Sequence, residues 1–263
     1  MAELAFDAEE MMTMAAARAL KDGDVCFVGI GLPSTAANLA RLTHAPEVVL
    51  IYESGTIGTK PDILPLSIGD GELVETADFV VSVPEIFRYW LQGGKVGVGF
   101  LGAAQLDRFA NINTTVIGDY AAPKTRLPGA GGAPEIATAA REVFITLRQN
   151  KRSFVDKIDF VTSAGFLDGG DARSRLAVPG RGPSRIFSDL GILEPDPVSK
   201  ELVMVSLHPG VTADQARAAT GWPLKISDHA TVTPPPTAQE LQVLRDMKAR
   251  TARAHGNRNI AGA

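Results

Sequence analysis

Apolar residues recur at four-residue spacing at Met11, Ala15 and Ala19, with acids ahead of them and Arg18 and Lys21 behind. That period, with charges in the order a helix dipole favours, predicts a helix over 8–21. The polar run Lys21-Asp22-Gly23-Asp24 breaks it, and 25–30 is an unbroken apolar run, as in a strand covered on both faces. The turn Gly31-Leu32-Pro33-Ser34 then offers Ser34 as the N-cap of a helix over 35–42, and a second strand follows at 48–52. Helix, strand, helix, strand implies a right-handed crossover and a parallel sheet. The pattern continues with strands at 79–83, 96–101, 115–117 and 143–147. Pro84 opens a helix through 92, and a short helical piece spans 137–141. Residues 157–162 and 185–188 extend the sheet and 201–207 ends it. A short helix at 212–220, the stiff spacer Pro234-Pro235-Pro236 and a helix at 238–252 follow, with 256–263 read as a frayed tail. The fold class is α/β: an open, mostly parallel sheet flanked by helices.

Residues 1–263 read as one domain with a C-terminal helix beyond the proline spacer. The alternative is two α/β lobes split at 165–182, a loop dense in glycine and charge. At 263 residues, folding removes roughly 75% of the unfolded chain's surface, so a core forms without disulfide or metal staples. The lone cysteine, Cys26, lies in an apolar strand and reads as a core residue; a cytoplasmic location is expected. With 26 Lys+Arg against 30 Asp+Glu the net charge is -4, which argues against nucleic acid as a partner. Residues 1–10 carry acids and no cationic run, unlike a secretory or transit peptide, and no apolar run reaches the ~18 residues of a membrane span.

Three stretches have the residue types of a site. Tyr52-Glu53-Ser54-Gly55 stops an apolar run at a carboxylate, and in open parallel sheets ligands bind at the carboxyl ends of strands. Glu53 is there either a solvated acid at a strand end or a carboxylate held in a partly dry site as nucleophile or base. Pro128-Gly129-Ala130-Gly131-Gly132-Ala133-Pro134 is either a surface turn or a place where backbone N–H groups face an anion; it matches neither a phosphate-binding P-loop nor the dinucleotide fingerprint. The loop 102–114, with Gln105, Asn111 and Asn113, has the amides that orient a polar ligand, and equally those of ordinary turns. Lys124 and Arg126 supply cations near the glycine loop. His44, His208, His229 and His255 show no metal-ligand spacing, and no metal site is expected. No Gly-x-Ser-x-Gly elbow is present.

These stretches, together with Gly29-Ile30-Gly31-Leu32-Pro33, Gly102-Ala103-Ala104-Gln105-Leu106-Asp107 and Ile117-Gly118-Asp119-Tyr120, stand in an order and spacing that resembles the β subunit of family I CoA-transferases from about residue 8 to 225. Within the family it is similar to the glutaconate CoA-transferase type of β subunit. The resemblance implies the CoA-transferase fold, a partner α subunit sharing the active site, no bound cofactor, and a coenzyme A thioester as substrate. It implies Glu53 as nucleophile and Gly129, Gly131, Gly132 and Ala133 lying along the thioester; by their residue types Ser54, Gln105, Asn111 and Asn113 are expected to orient the substrate. The acceptor it implies is a dicarboxylic acid, 3-oxoadipate with succinyl-CoA as donor, or glutaconate. Two departures stand out. Many members have Ser-Glu-Asn-Gly where this chain has Tyr52-Glu53-Ser54-Gly55, and many place glycine where this chain has Ala110, which costs on the order of 1 kcal/mol if that backbone needs a positive φ. An acyl-CoA hydrolase on the same scaffold is the rival enzyme reading; ring-cleaving relatives lack the glutamate that is present here. Sugar-phosphate sensors of related fold carry a basic helix-turn-helix in front, for which 1–24 leaves no room.

Overall fold

The computed structural model describes residues 5–258. Helix α1 (Ala8–Ala17) starts in a capping box: Asp7 accepts from the Glu10 N–H at 2.8 Å, and Glu10 accepts from the Asp7 N–H at 3.0 Å. The succession continues as β1 (Val25–Val28), α2 (Leu32–Thr43), β2 (Val49–Ile51), β3 (Thr56–Ile57), α3 (Gly71–Glu75), β4 (Phe79–Val80) and α4 (Val83–Glu85), which runs on as a π turn over Ile86–Leu91. Then come β5 (Val98–Gly102), β6 (Gln105–Leu106), β7 (Ile112–Asn113), β8 (Val116–Ile117), β9 (Thr125–Arg126), α5 (Ala133–Ala139) and β10 (Glu142–Thr146). The chain closes with β11 (Pro183–Phe187), β12 (Gly191–Pro195), β13 (Leu202–Leu207), α6 (Ala213–Ala218), β14 (Lys225–Val232) and α7 (Ala238–Arg258).

Ten strands form one sheet in the order β14-β13-β12-β11-β10-β5-β1-β2-β3-β4. The five central strands, β11 to β2, are parallel, as the unbroken apolar runs require. Alternate residues of these runs enter different cores. Cys26, Val28, Leu50, Tyr52, Phe100 and Phe144 face α1, α2 and α7, whereas Phe27, Ile51, Leu101, Val143 and Ile145 face α5 and the π turn. On the first face, Phe100, Phe144 and Phe187 contact edge to face at 5.8 and 5.6 Å across three neighbouring strands. Helix α7 closes that face through ion pairs with α1 and its flanks: Glu240 with Arg18 at 2.6 Å and Arg245 with Glu10 at 2.7 Å.

Several expectations need correction. Residues 115–117 become β8, which pairs with β9 in a separate two-stranded sheet. Residues 157–162 form no strand: Asp159 hydrogen-bonds with the Gln105 side chain, and the Thr162 hydroxyl accepts from the Thr114 N–H, so the segment is fixed to the 102–114 loop by hydrogen bonds that involve side chains. The sheet does not end at β13, because β14 pairs with it in parallel. That edge strand is mostly exposed and polar, so it lacks the apolar signature. Strands β3 and β12 are additions, each following a turn after a predicted strand. Ser34 does not cap α2. Its cap is Gly31 at φ +87°, Pro33 fills the first turn, and the Ser34 hydroxyl turns to the Tyr52 phenol at 2.8 Å. Helix α7 runs to Arg258; residues 259–263 of the expected tail lie outside the described residues. Among the described residues no helix is long and apolar enough to cross a membrane.

His208 is buried at the end of β13, between the Thr233 hydroxyl at 3.0 Å and the Ser188 carbonyl at 2.9 Å. Burial pushes its pKa down to about 4 against the Ser188 bond, which raises it. The unfolded chain therefore binds a proton that the folded chain rejects between pH 6.5 and 4, so stability falls as pH drops through that window, by up to about 3 kcal/mol. Urea unfolding at pH 7 and pH 4.5 should show this loss in the parent and a smaller one in His208→Gln; equal losses would assign the acid sensitivity to other groups.

Candidate active site

The carboxyl end of β2 turns at once into β3. The Tyr52 carbonyl accepts from the Gly55 N–H at 2.9 Å, and the Tyr52 N–H donates to the Thr56 carbonyl at 3.1 Å. This closes a three-residue hairpin loop with Glu53 and Ser54 at its tip and a positive-φ glycine at its end. Gly55 has φ +94°, and a β carbon there would lie 2.0 Å from the Val81 carbonyl oxygen, so backbone passes where any side chain would stand. Tyr52 anchors the hairpin from below: it is fully buried, its phenol is hydrogen-bonded to Ser34, and burial pushes its pKa up to about 12. Glu53 itself is half-buried, and the Ser54 hydroxyl is 3.4 Å from that of Thr56.

The glycine loop lies against this carboxylate. A β carbon on Gly131 would be 3.7 and 3.8 Å from the two Glu53 carboxylate oxygens, and one on Gly132 would be 3.2 Å from Glu53 Cδ and 2.6 Å from Phe87 Cζ. Glycine at 132 thus lets backbone pass where a side chain would crowd Glu53 and the half-buried Phe87 ring, while a β carbon at 131 would make ordinary contact with the carboxylate. Gly131 also has φ +49° and Gly129 φ +105°. The loop is tied down at Gly129, whose N–H donates to the Thr114 carbonyl and whose carbonyl accepts from the Thr114 hydroxyl, each at 2.8 Å. The Ala133 N–H is consumed by the Ala130 carbonyl at 3.1 Å, whereas the N–H groups of Gly131 and Gly132 donate to no group among the described residues. Two free backbone donors therefore stand beside one carboxylate.

The amides of the 102–114 loop are placed differently from expectation. Gln105, Asn111 and Asn113 are buried, and their side chains are engaged within the chain. Gln105 holds Asp159 and Asn113; Asn113 holds the Val116 carbonyl and the N–H groups of Thr115 and Val116; Asn111 holds Asp107, the Leu167 carbonyl and the N–H groups of Gly165 and Leu167. With donors and acceptors spent, these side chains brace loops instead of presenting polar groups to a ligand. Ala110 is buried at φ +58°, the left-handed conformation that glycine adopts without strain. Arg126 lies over the Tyr120 ring at 5.1 Å. Among the described residues no three His, Cys, Asp or Glu side chains converge as a metal site. Thr114, bonded to Gly129, and Phe87, beside Gly132, shape the site without having been singled out. Threonine in a polar loop and an aromatic residue in a helical run carry no distinguishing sequence signal.

The profile of the Coenzyme A transferase family matches residues 9–219. This chain belongs to that family. The CoA-transferase chain is 64% identical over 252 residues to one subunit of the 3-oxoadipate CoA-transferase of Pseudomonas knackmussii, covering 96% of this chain and 97% of that one. It is 37% identical over 227 residues to one subunit of the glutaconate CoA-transferase of Acidaminococcus fermentans, with 83% and 84% coverage. The crystal structure of glutaconate coenzyme A-transferase from that organism superposes with a TM-score of 0.85 at 33% identity, over 92% of this chain and 94% of that one.

Because the Gly132 β carbon would collide with Phe87 and crowd Glu53 at an ordinary φ of -82°, Gly132→Ala tests the approach without backbone strain. Transferase activity should fall at least about tenfold with a stability loss of about 1–3 kcal/mol from overpacking. Unchanged turnover would show that the contact between loop and carboxylate has slack.

Proposed function

We propose that this CoA-transferase chain is the β subunit of an enzyme that moves coenzyme A between an acyl-CoA and a dicarboxylic acid through an acyl adduct on Glu53. The observation that carries the reading is the contact between the Glu53 carboxylate and Gly131 and Gly132, with the N–H groups of both glycines unspent. A carboxylate is a weak nucleophile, so rate must come from placing it and from stabilising what it forms. Attack on the thioester carbonyl gives a tetrahedral oxyanion, and a well-placed backbone donor contributes roughly 3–4 kcal/mol there in other acyl-transfer sites. Collapse forms a mixed anhydride with Glu53 and expels the CoA thiolate. The thiolate then attacks the Glu53 carbonyl of the anhydride, leaving a glutamyl-CoA thioester and the free acid. The acceptor acid reverses these steps. Ser54, at the tip beside Glu53, is the one expected substrate-orienting residue whose hydroxyl has only a single long contact, so we retain it as such. Gly129 and Ala133 serve the site through their own internal bonds, which hold the loop's shape.

Similarity to the Pseudomonas protein supports 3-oxoadipate as acceptor; succinyl-CoA as donor is what the family resemblance implies. A partner α subunit is supported by both relatives being single subunits of larger enzymes, and by the edge beside Glu53. Strand β4 closes the sheet there, and Phe79, Val80 and Tyr89 leave 49%, 51% and 63% of their surface exposed. An uncovered apolar edge of this kind is a liability unless another chain covers it. The lone cysteine, buried in β1, is in keeping with a cytoplasmic location.

Glu53→Gln in the assembled enzyme should lose transfer activity by at least about 1,000-fold, because the amide cannot form the anhydride. Retention of more than about a tenth of the activity would reject Glu53 as the nucleophile. The chain expressed without its partner should be inactive and regain turnover on mixing with it; full turnover alone would reject the shared site.

A further inference from the structure

The glycine- and charge-rich segment 165–182 has no part in the chemistry above, yet its one buried cation reaches the helix that carries the glycine loop. Arg173 is 5% exposed. Its Nε donates to the Gly180 carbonyl at 3.2 Å, Nη1 to the Ala164 and Gly165 carbonyls at 3.0 and 2.9 Å, and Nη2 to the Ala137 carbonyl at 2.7 Å. Among the described residues it has no carboxylate within ion-pair distance, and burial pulls its pKa down, so the charge is balanced only by carbonyl dipoles. The surrounding glycines are fitted to this guanidinium. A β carbon on Gly182 would lie 2.9 Å from Arg173 Nε, and one on Gly180 would lie 2.3 Å from the Ala140 carbonyl oxygen. The Gly180 N–H also donates to the Thr138 carbonyl at 2.8 Å. Segment 165–182 is thus fastened to the last turn of α5, whose first residues follow Gly131 and Gly132.

The Ala164 and Gly165 carbonyls lie in the stretch that Asn111 holds from the other side, through the Gly165 N–H at 2.9 Å. Thr114, at the end of the same polar loop, holds Gly129. The glycine loop is therefore tethered at both ends, by Thr114 where it begins and through α5 by Arg173 where it leads. We propose that Arg173 is a positioning residue for acyl transfer, holding α5 so that Gly131 and Gly132 keep their place beside Glu53. The fork geometry is what matters: four carbonyls from three segments are met by one planar guanidinium, which a lysine ammonium cannot span.

This inference rests on Glu53 and the glycine loop being the reacting site, so its test carries Glu53→Gln as a parallel arm. Assembled heteromers of the parent, Arg173→Lys and Arg173→Gln are purified by gel filtration, and kcat and KM for the acyl-CoA are measured per assembled site. Arg173→Gln keeps two donors without a buried charge and provides a folded variant if the lysine form does not assemble. The expected result is a kcat lowered about 100-fold, the size of a roughly 1 Å misplacement, with KM changed less than about twofold. Arg173→Ala should regain part of its kcat on adding millimolar guanidinium. A merely structural arginine would lower the yield of assembled enzyme and its melting temperature while leaving kcat per site at the parent value, and that outcome overturns the proposal. Loss of activity in Glu53→Gln together with parent kcat in the Arg173 variants rejects the tether alone. An active Glu53→Gln rejects the reading of the site on which it rests.

Discussion

Everything in this structure that bears on chemistry depends on one close approach, that of backbone at Gly131 and Gly132 to the carboxylate of Glu53. Neither partner is free to drift. Glu53 stands at the tip of a hairpin whose closing glycine, Gly55, lies where the Val81 carbonyl leaves no room for a β carbon. The loop opposite is held at Gly129 by two hydrogen bonds to Thr114 and continues directly into α5. A weak nucleophile gains most from such constraint, because effective concentration and preset donors replace intrinsic reactivity.

The sheet explains why the two meet. Parallel strands β2, β1, β5 and β10 end on one side, so the β2–β3 hairpin lies at the same edge as the long excursion from β5 to α5, which ends in the glycine loop. The two cores give these ends a stiff base. Tyr52 enters the α1, α2 and α7 core and is hydrogen-bonded there, while Phe87 packs against Phe27 at 5.7 Å on the other face. The side chain directly before the proposed nucleophile is therefore a core residue and the ring beside it packs against the core of the other face, so precision at the site draws on the packing of both faces.

Much of this is legible in the chain. Unbroken apolar runs mark the central parallel strands, because strands buried on both faces need no polar alternation. The abrupt stop at Glu53-Ser54-Gly55 marks the end of β2, but the return strand β3 that makes it a hairpin is too short, at two residues, to leave a pattern of its own. Ala110, where the resemblance led us to expect glycine, has a φ of +58°, the conformation that glycine would suit. What the residues do not reveal is the destination of side chains. Asn111 and Asn113 have the chemistry of ligand contacts and equally of loop braces, and only tertiary placement shows every amide group engaged. Strand β14 escapes a reading of the pattern because an exposed edge is held by backbone pairing, which leaves no hydrophobic trace.

The central claim is most directly tested by trapping the covalent state. The assembled enzyme is incubated with acyl-CoA, reduced with borohydride, digested, and the peptide holding residue 53 is weighed. A thioester on Glu53 would be reduced to the corresponding alcohol, and activity would be lost in proportion. Recovery of an unaltered glutamate with activity intact, or of the reduced product at another carboxylate, would contradict the account.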